Sequence, residues 1–218
     1  LFDLDCAFLA YRPVTVEEWQ WWNNAWLALR PNAPIRHTSG LVIHYLRNRS
    51  PTSLYWTLHM RIEDDWVLPR QRNDSKYWSR YFFGVAEKLR FAGPTEGQTV
   101  FVSVGLSLSD FRLQSFLADE EIVSLRCDFV FIENIPETVS TAFRHEELEY
   151  RSVLIREVML HADIHVGNFR SSLDFLLSVD RSLWRNLNLT SSNVTLNYMD
   201  KTRPGAGKLQ FLSGMIRS

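Results

Sequence analysis

Cysteine is nearly absent from this chain, with only Cys6 and Cys127. Two thiols cannot build the disulfide framework of a small secreted scaffold, nor complete a zinc site of cysteine ligands. The expectation is two buried thiols in a reducing compartment. An excess of either charge is also lacking. The 24 Lys and Arg against 25 Asp and Glu leave a formal net charge of −1, which exerts no global pull on nucleic acid or anionic lipid. A nucleic-acid site would have to be a local patch. No apolar run approaches the roughly 20 residues that span a bilayer, so the chain reads as soluble or peripheral. It begins with Leu1, not Met; the expectation is that residues precede it, and no signal peptide is visible.

Complete catalytic motifs are missing as well. Leu1-Phe2-Asp3-Leu4-Asp5 is similar to the first motif of haloacid-dehalogenase-like phosphatases, but Cys6-Ala7 stand where that family has Gly-Thr. No late Gly-Asp acidic pair follows to hold Mg²⁺. Gly205, Gly207 and Lys208 have the wrong spacing for a phosphate loop, and Leu209 replaces the hydroxyl residue such a loop needs. Asn73-Asp-Ser75, Asn188-Leu-Thr190 and Asn193-Val-Thr195 match the glycosylation sequon, a triplet that also arises by chance. No internal repeat or low-complexity tract appears.

What is abundant is aromatic residues: 8 Trp, 14 Phe and 7 Tyr against 9 Gly. Such side chains bury large areas and favour strands and contact surfaces. Thr15-Val-Glu-Glu18 forms a capping box, and Val16, Trp19, Trp22, Trp26 and Leu29 recur at helical spacing up to Arg30-Pro31. This predicts a Trp-faced helix over 15–30, either packed on the domain or standing as an appendage. Residues 31–39 read as a linker. Leu41–Leu46 and Leu54–Ile62 read as strands joined by a turn, with Tyr55, Thr57, His59 and Arg61 on one face of the second. Arg47, Arg49, Tyr55, His59, Arg61, Arg70 and Arg72 make this the most basic stretch. Cations interleaved with rings suit single-stranded nucleic acid, phosphates meeting the charges and bases stacking on the rings. A solvated outer sheet face has the same pattern.

Asp74 or Ser75 caps a predicted helix to Leu89 with the stripe Trp78, Tyr81, Phe82, Val85 and Leu89. Thr99–Leu108 alternates with period two, the mark of a half-buried strand, and ends in Ser109-Asp110-Phe111-Arg112. A short helix is expected over 111–118, a strand over 123–132 and a helix over 137–150. Residues 152–166 fit a strand with Val158, Leu160, Ala162, Ile164 and Val166 inward. His161, Asp163 and His165 would then share the other face as remote metal ligands. Residues 173–179, 193–198 and 208–216 are weaker strand candidates.

Leu108-Ser-Asp110 after an alternating strand, Arg112 two residues on, and Gly167 after a further 57 residues resemble the signature of the thirty-kilodalton superfamily of plant-virus movement proteins. Gly93-Pro94 and Gly97 before the strand, and Ser172-Leu-Asp-Phe175 after it, add to the resemblance, which covers roughly 89–179. The Trp-rich helix has no counterpart there, and the family is often more basic. The resemblance implies a β-rich, jelly-roll-like core or β-sandwich, single-stranded RNA as partner, and a place in the host cytoplasm or at the cell periphery. Self-association and peripheral membrane contact would accompany it, with no enzymatic activity, cofactor or small-molecule substrate.

The expected fold is one α+β domain over 1–218, a mostly antiparallel sheet with two or three helices packed on it. The expected function is a non-enzymatic viral protein that binds single-stranded nucleic acid. The alternatives are a matrix- or capsid-like structural protein, and a metal-dependent hydrolase using the N-terminal aspartates or His161, Asp163 and His165. For the charged pair, the expectation is that Leu108 is buried and that Asp110 bonds Arg112 or nearby backbone N–H groups.

Overall fold

The computed structural model describes residues 31–65, 67–139, 148–168 and 195–197, with isolated residues between and before them. The N-terminal aspartates Asp3 and Asp5, the Trp-faced stripe and the strand at 208–216 lie outside the described residues, as do Asn188, Asn193 and most of the expected 137–150 helix. The chain divides into two compact units, 1–31 and 32–218. Of the first, Glu17 and Gln20 are helical.

The second unit opens with helix α1, Ala33–Arg49. Asn32 caps it by accepting the Ile35 N–H at 3.1 Å, Pro34 occupies its first turn, and Arg47 and Arg49 lie near its carbonyl end. Ile35, Val42 and Leu46 form its buried stripe. The linker and strand expected here are therefore one helix. The β-branched run Leu41–Leu46 resembles a strand locally, but the stripe that decides the matter begins six residues earlier, across Gly40.

Strand β1, Tyr55–His59, leads through a 3₁₀ turn at Pro69–Gln71 to α2, Ser75–Ala92. Asp74 caps α2 through the N–H groups of Lys76 and Tyr77. Strand β2, Thr99–Ser103, is followed by α3, Phe111–Ala118, and the single turn α4, Glu120–Val123. Then come β3, Asp128–Val130, helix α5, Leu148–Leu160, strand β4, Ile164–Gly167, and β5, Thr195–Asn197.

All five strands are parallel, in the order β3-β2-β1-β4-β5. This overturns the antiparallel, jelly-roll-like or β-sandwich core. The physical reason lies in burial: every residue of β1 and β2 is buried, as in parallel sheets covered by helices on both faces. The alternation of Thr99–Ser103 is not an inside–outside pattern. Trp56, Leu58, Val100, Val102, Ile164 and Val166 pack on one face with α2 and α3, through Phe82, Val85, Leu89, Leu113 and Phe116. Tyr55, Phe101 and Val130 pack on the other with α1 and α5, through Val42, Leu46, Leu154 and Val158.

The predicted strand over 152–166 is α5 followed by β4. The predicted strand over 123–132 shortens to β3, and residues 173, 174 and 177 are helical, not extended. Chain order starts in the middle of the sheet, moves out to β3, then returns to the far side of β1. The reversal falls between β1 and β4.

Leu108 is half-buried, not buried as expected, and the strand stops at Ser103. Asp110 does meet Arg112. Its Oδ1 accepts the Arg112 N–H at 2.9 Å and Nε at 2.8 Å, and its Oδ2 accepts Nη2 at 2.7 Å. Asp110 is thus the cap of α3, and these Arg112 hydrogen bonds hold its carboxyl below the usual range. Arg112, 6% exposed, also donates to the Ile62 carbonyl at 3.0 Å and to Asp64 at 2.9 Å. It ties the segment after β1 to the start of α3. Replacing Arg112 by Ala strands two carboxylates, partly relieved by water at Asp64. Urea denaturation should show a loss of about 2 kcal/mol, with Arg112→Lys recovering little because an ammonium cannot make the fork.

Candidate functional site

Along the α1/α5 face of the sheet the character changes from apolar to polar. Tyr55, at the start of β1, is fully buried and donates its hydroxyl to the Val158 carbonyl at 2.6 Å. Two residues on, Thr57 pairs in register with His165 of β4, and its Oγ1 lies 2.9 Å from His165 Nδ1. Two further on, His59 Nδ1 lies 2.8 Å from Asp174 Oδ2. His165 Nε2 lies 2.9 Å from Asp174 Oδ1, and the Asn168 backbone N–H donates to Asp174 Oδ2 at 2.7 Å.

This cluster is dry. The side chains of His59, Asp174 and His165 are 7%, 2% and 0% exposed. A buried carboxylate is tolerable when ionised only if donors surround it. Burial pushes the Asp174 carboxyl up; the charge of His59 and the hydrogen bonds from His165 and His59 outweigh that and hold it at about 2. For His165, burial comes first and pushes the imidazole down. The Asp174 hydrogen bond and charge oppose that shift, and Arg181 and His59 add to it. Arg181 is itself buried and donates to the carbonyls of Met159, Ala162 and Asp163.

Gly167 closes the site from below. A Cβ there would sit 2.6 Å from the Asp174 carboxyl and 2.7 Å from His165 Nε2, so no larger residue fits without displacing the cluster. In the segment after β2, Gly105 has a matching constraint. Its N–H donates to Glu63 Oε1 at 2.7 Å, and a Cβ would collide with that same oxygen. The segments after β1 and β2 are thereby joined twice, at Glu63–Gly105 and at Asp64–Arg112.

The sequence-predicted residues fall in several places. Arg47 and Arg49 end α1 on the amino side of β1, whereas Arg61, Arg70 and Arg72 follow its carboxyl end. The strand separates them, so they form no continuous track. Arg47 meets Asp163 at 3.3 Å and lies over the Tyr55 ring. Arg49 donates to Asp128 at 2.9 Å. Arg61 pairs with Glu63 and Asp65, and Arg72 donates to the Asp64 carbonyl at 2.7 Å. Arg70 is exposed. Tyr55 and His59, placed on an outer face by the alternation, are buried.

The two halves of the family-like motif, Leu108–Arg112 and Gly167, follow strands that β1 separates. His161, Asp163 and His165 do not converge. His161 turns to Glu157 at 3.2 Å, Asp163 accepts the Tyr55 N–H at 3.0 Å, and His165 joins Asp174. Among the described residues, no group of three or more His, Cys, Asp or Glu could hold a metal ion. Asp174 and Thr57 are the functional residues that sequence reasoning missed. The available signal was the polar pair Thr57/His59 inside an otherwise apolar strand.

No family model matches the chain, and neither a curated protein nor a solved structure matches it.

The buried histidine sets a pH dependence. Its folded-state affinity for protons is depressed, so the unfolded chain binds the extra proton first. The stability contribution is therefore full above the ordinary histidine range and is lost as pH falls through about 6.5. Urea midpoints should decline from pH 7 to pH 5, with a slope approaching about 1.4 kcal/mol per pH unit from this group. A flat profile would contradict a neutral, buried His165. Gly167→Ala should cost about 1–3 kcal/mol by overpacking, read in the same assay, whereas Gly40→Ala, with open space around it, should not destabilise.

Proposed function

We propose that the 32–218 unit binds a small molecule of nucleotide type at the carboxyl ends of β1 and β4, with His59 exchanging a proton with it. The observation that carries this is the Asp174 carboxylate, buried and bonded to His59 Nδ1, at the point where the strand order reverses. Open parallel sheets wound on both faces bind their ligands in the crevice outside the carboxyl ends of the strands at such a reversal. The ligand class rests on this habit of the fold. The proton role rests on geometry: a carboxylate on Nδ1 fixes the ring and stabilises its cation, leaving Nε2 to act as base or acid.

The segment after β1 is Met60-Arg-Ile-Glu-Asp-Asp65, with no glycine-rich turn. Its carboxylates oppose a phosphate there, so the anionic part of the ligand is assigned to the β4 side of the reversal, at Gly167 and Asn168. The binding of single-stranded nucleic acid drawn from the basic stretch loses support, because Arg47, Arg49, Arg61 and Arg72 all engage protein partners, most of them carboxylates. The movement reading depended on a jelly-roll core and is set aside with it. Among the described residues no helix is long and apolar enough to cross a membrane.

A thermal-shift panel of nucleoside mono- and diphosphates, nicotinamide dinucleotides and a single-stranded oligonucleotide tests the assignment. At least one mononucleotide or dinucleotide should raise Tm by several degrees, on the order expected when ligand exceeds Kd a hundredfold. His59→Asn, whose amide can keep a donor near the Nδ1 position, should weaken that shift, measured from the variant's own ligand-free Tm. A shift with the oligonucleotide alone, falling steeply with salt, would overturn the proposal in favour of nucleic-acid binding. No shift with any of them would sink both.

A further inference from the structure

Two imidazoles share one carboxylate, and this division of labour goes beyond the presence of a polar cluster. We infer that His165 is a positioning residue that stays neutral as its Nε2–H tautomer, so that the one proton the cluster exchanges is held at Nε2 of His59. The inference rests on the reading of His59 as the proton-exchanging group.

An ionised Asp174 can only accept, so both ring nitrogens facing it, His165 Nε2 and His59 Nδ1, must carry hydrogen. His165 Nδ1 faces the Thr57 hydroxyl at 2.9 Å. If that hydroxyl donates, His165 is neutral; if it accepts, His165 is a cation. The surroundings decide between the two. His165 is fully buried, its neighbours are Thr57 on β1, Asp174 and Arg181 on the helical segment after β4, and His59 across the carboxylate. Of these, Asp174 alone is negative, and Arg181 is a buried cation. A positive charge on His165 would add to a buried cation already beside it, whereas His59 at the strand end is the less buried ring.

Each oxygen of Asp174 then has a set task. Oδ1 accepts from His165, while Oδ2 accepts from His59 and from the Asn168 N–H. His165 thereby fixes the plane of the carboxylate, which in turn fixes the His59 tautomer as Nδ1–H. A proton taken from a ligand O–H or N–H goes onto His59 Nε2, and the imidazolium it makes is balanced by Asp174. Gly167, with no room for a Cβ, keeps the assembly from being displaced.

Long-range ¹H–¹⁵N NMR of the histidine rings, on the full chain between pH 5 and pH 8, tests this without any ligand. The signals are assigned by their loss in single His→Gln variants. The expected result is one ring, lost in His165→Gln, that remains neutral and Nε2-protonated throughout. A second, lost in His59→Gln, should be Nδ1-protonated when neutral. Wild type alone decides the central point: a His165 that titrates in this range, or carries its proton on Nδ1 when neutral, overturns the inference.

Two substitutions separate positioning from mere filling of space. His165→Gln keeps an N–H donor for Asp174 and should leave the neutral His59 ring Nδ1-protonated, as in wild type. His165→Leu removes the donor and should mix the two neutral tautomers of His59. Equal behaviour of the two folded variants would also overturn the inference. If the ring signals behave as expected and the nucleotide panel gives no shift, the ligand assignment fails and the tautomer assignment stands.

Discussion

An ionised carboxylate removed from water must be surrounded by donors, or it will protonate or destabilise the fold. Asp174 meets that requirement by drawing together two strands and the turn between β4 and the next helical segment. His59 comes from β1, His165 from β4, and the Asn168 N–H from the turn. The order of the strands, the glycine at 167 and the hydroxyl at Thr57 all follow from seating this one group. A hydrophobic residue in its place would leave two imidazoles facing each other across an unfilled space, with no common acceptor.

The rest of the sheet is built on apolar burial. The amino ends of β1 and β2 are gripped by Tyr55 and Phe101 against α1 and α5, and the opposite face by aromatic packing of Trp78, Phe82 and Phe116. The gradient along the strands, apolar at one end and polar at the other, places chemistry at the carboxyl edge while leaving stability to the remainder. That separation is how a rigid scaffold can hold a buried arrangement of titratable groups.

Some of this was legible in the residues. Asp74 and its aromatic stripe marked α2, Asp110 with Phe111–Ala118 marked α3, and the valines at 100 and 102 marked β2. The parallel arrangement was not legible, because strict alternation implies a wet face, and here every residue of β1 and β2 is buried, Thr57 against His165 among them. The site was hidden for a related reason. His59 and Asp174 stand 115 residues apart in sequence, and each looked ordinary alone: a histidine among arginines, and an aspartate in a segment that read as extended. The arginines misled in the opposite sense. Their clustering in sequence suggested a common surface, but β1 carries them to opposite ends, and carboxylates distributed along the chain meet most of them.

The double link between the segments after β1 and β2 has a kinetic consequence. Glu63, Asp64, Asp65 and Asp110 all lie on this rim, and Arg61, Arg72 and Arg112 are fastened among them. Opposite charges so closely interleaved cancel beyond a few ångströms, well within the roughly 8–10 Å over which salt leaves a field intact. A charged molecule approaching this edge is therefore neither drawn in nor repelled from a distance. Its encounter rate with this edge is set by diffusion and hardly responds to ionic strength. Selectivity at such an edge is exercised after contact, in how long a molecule stays.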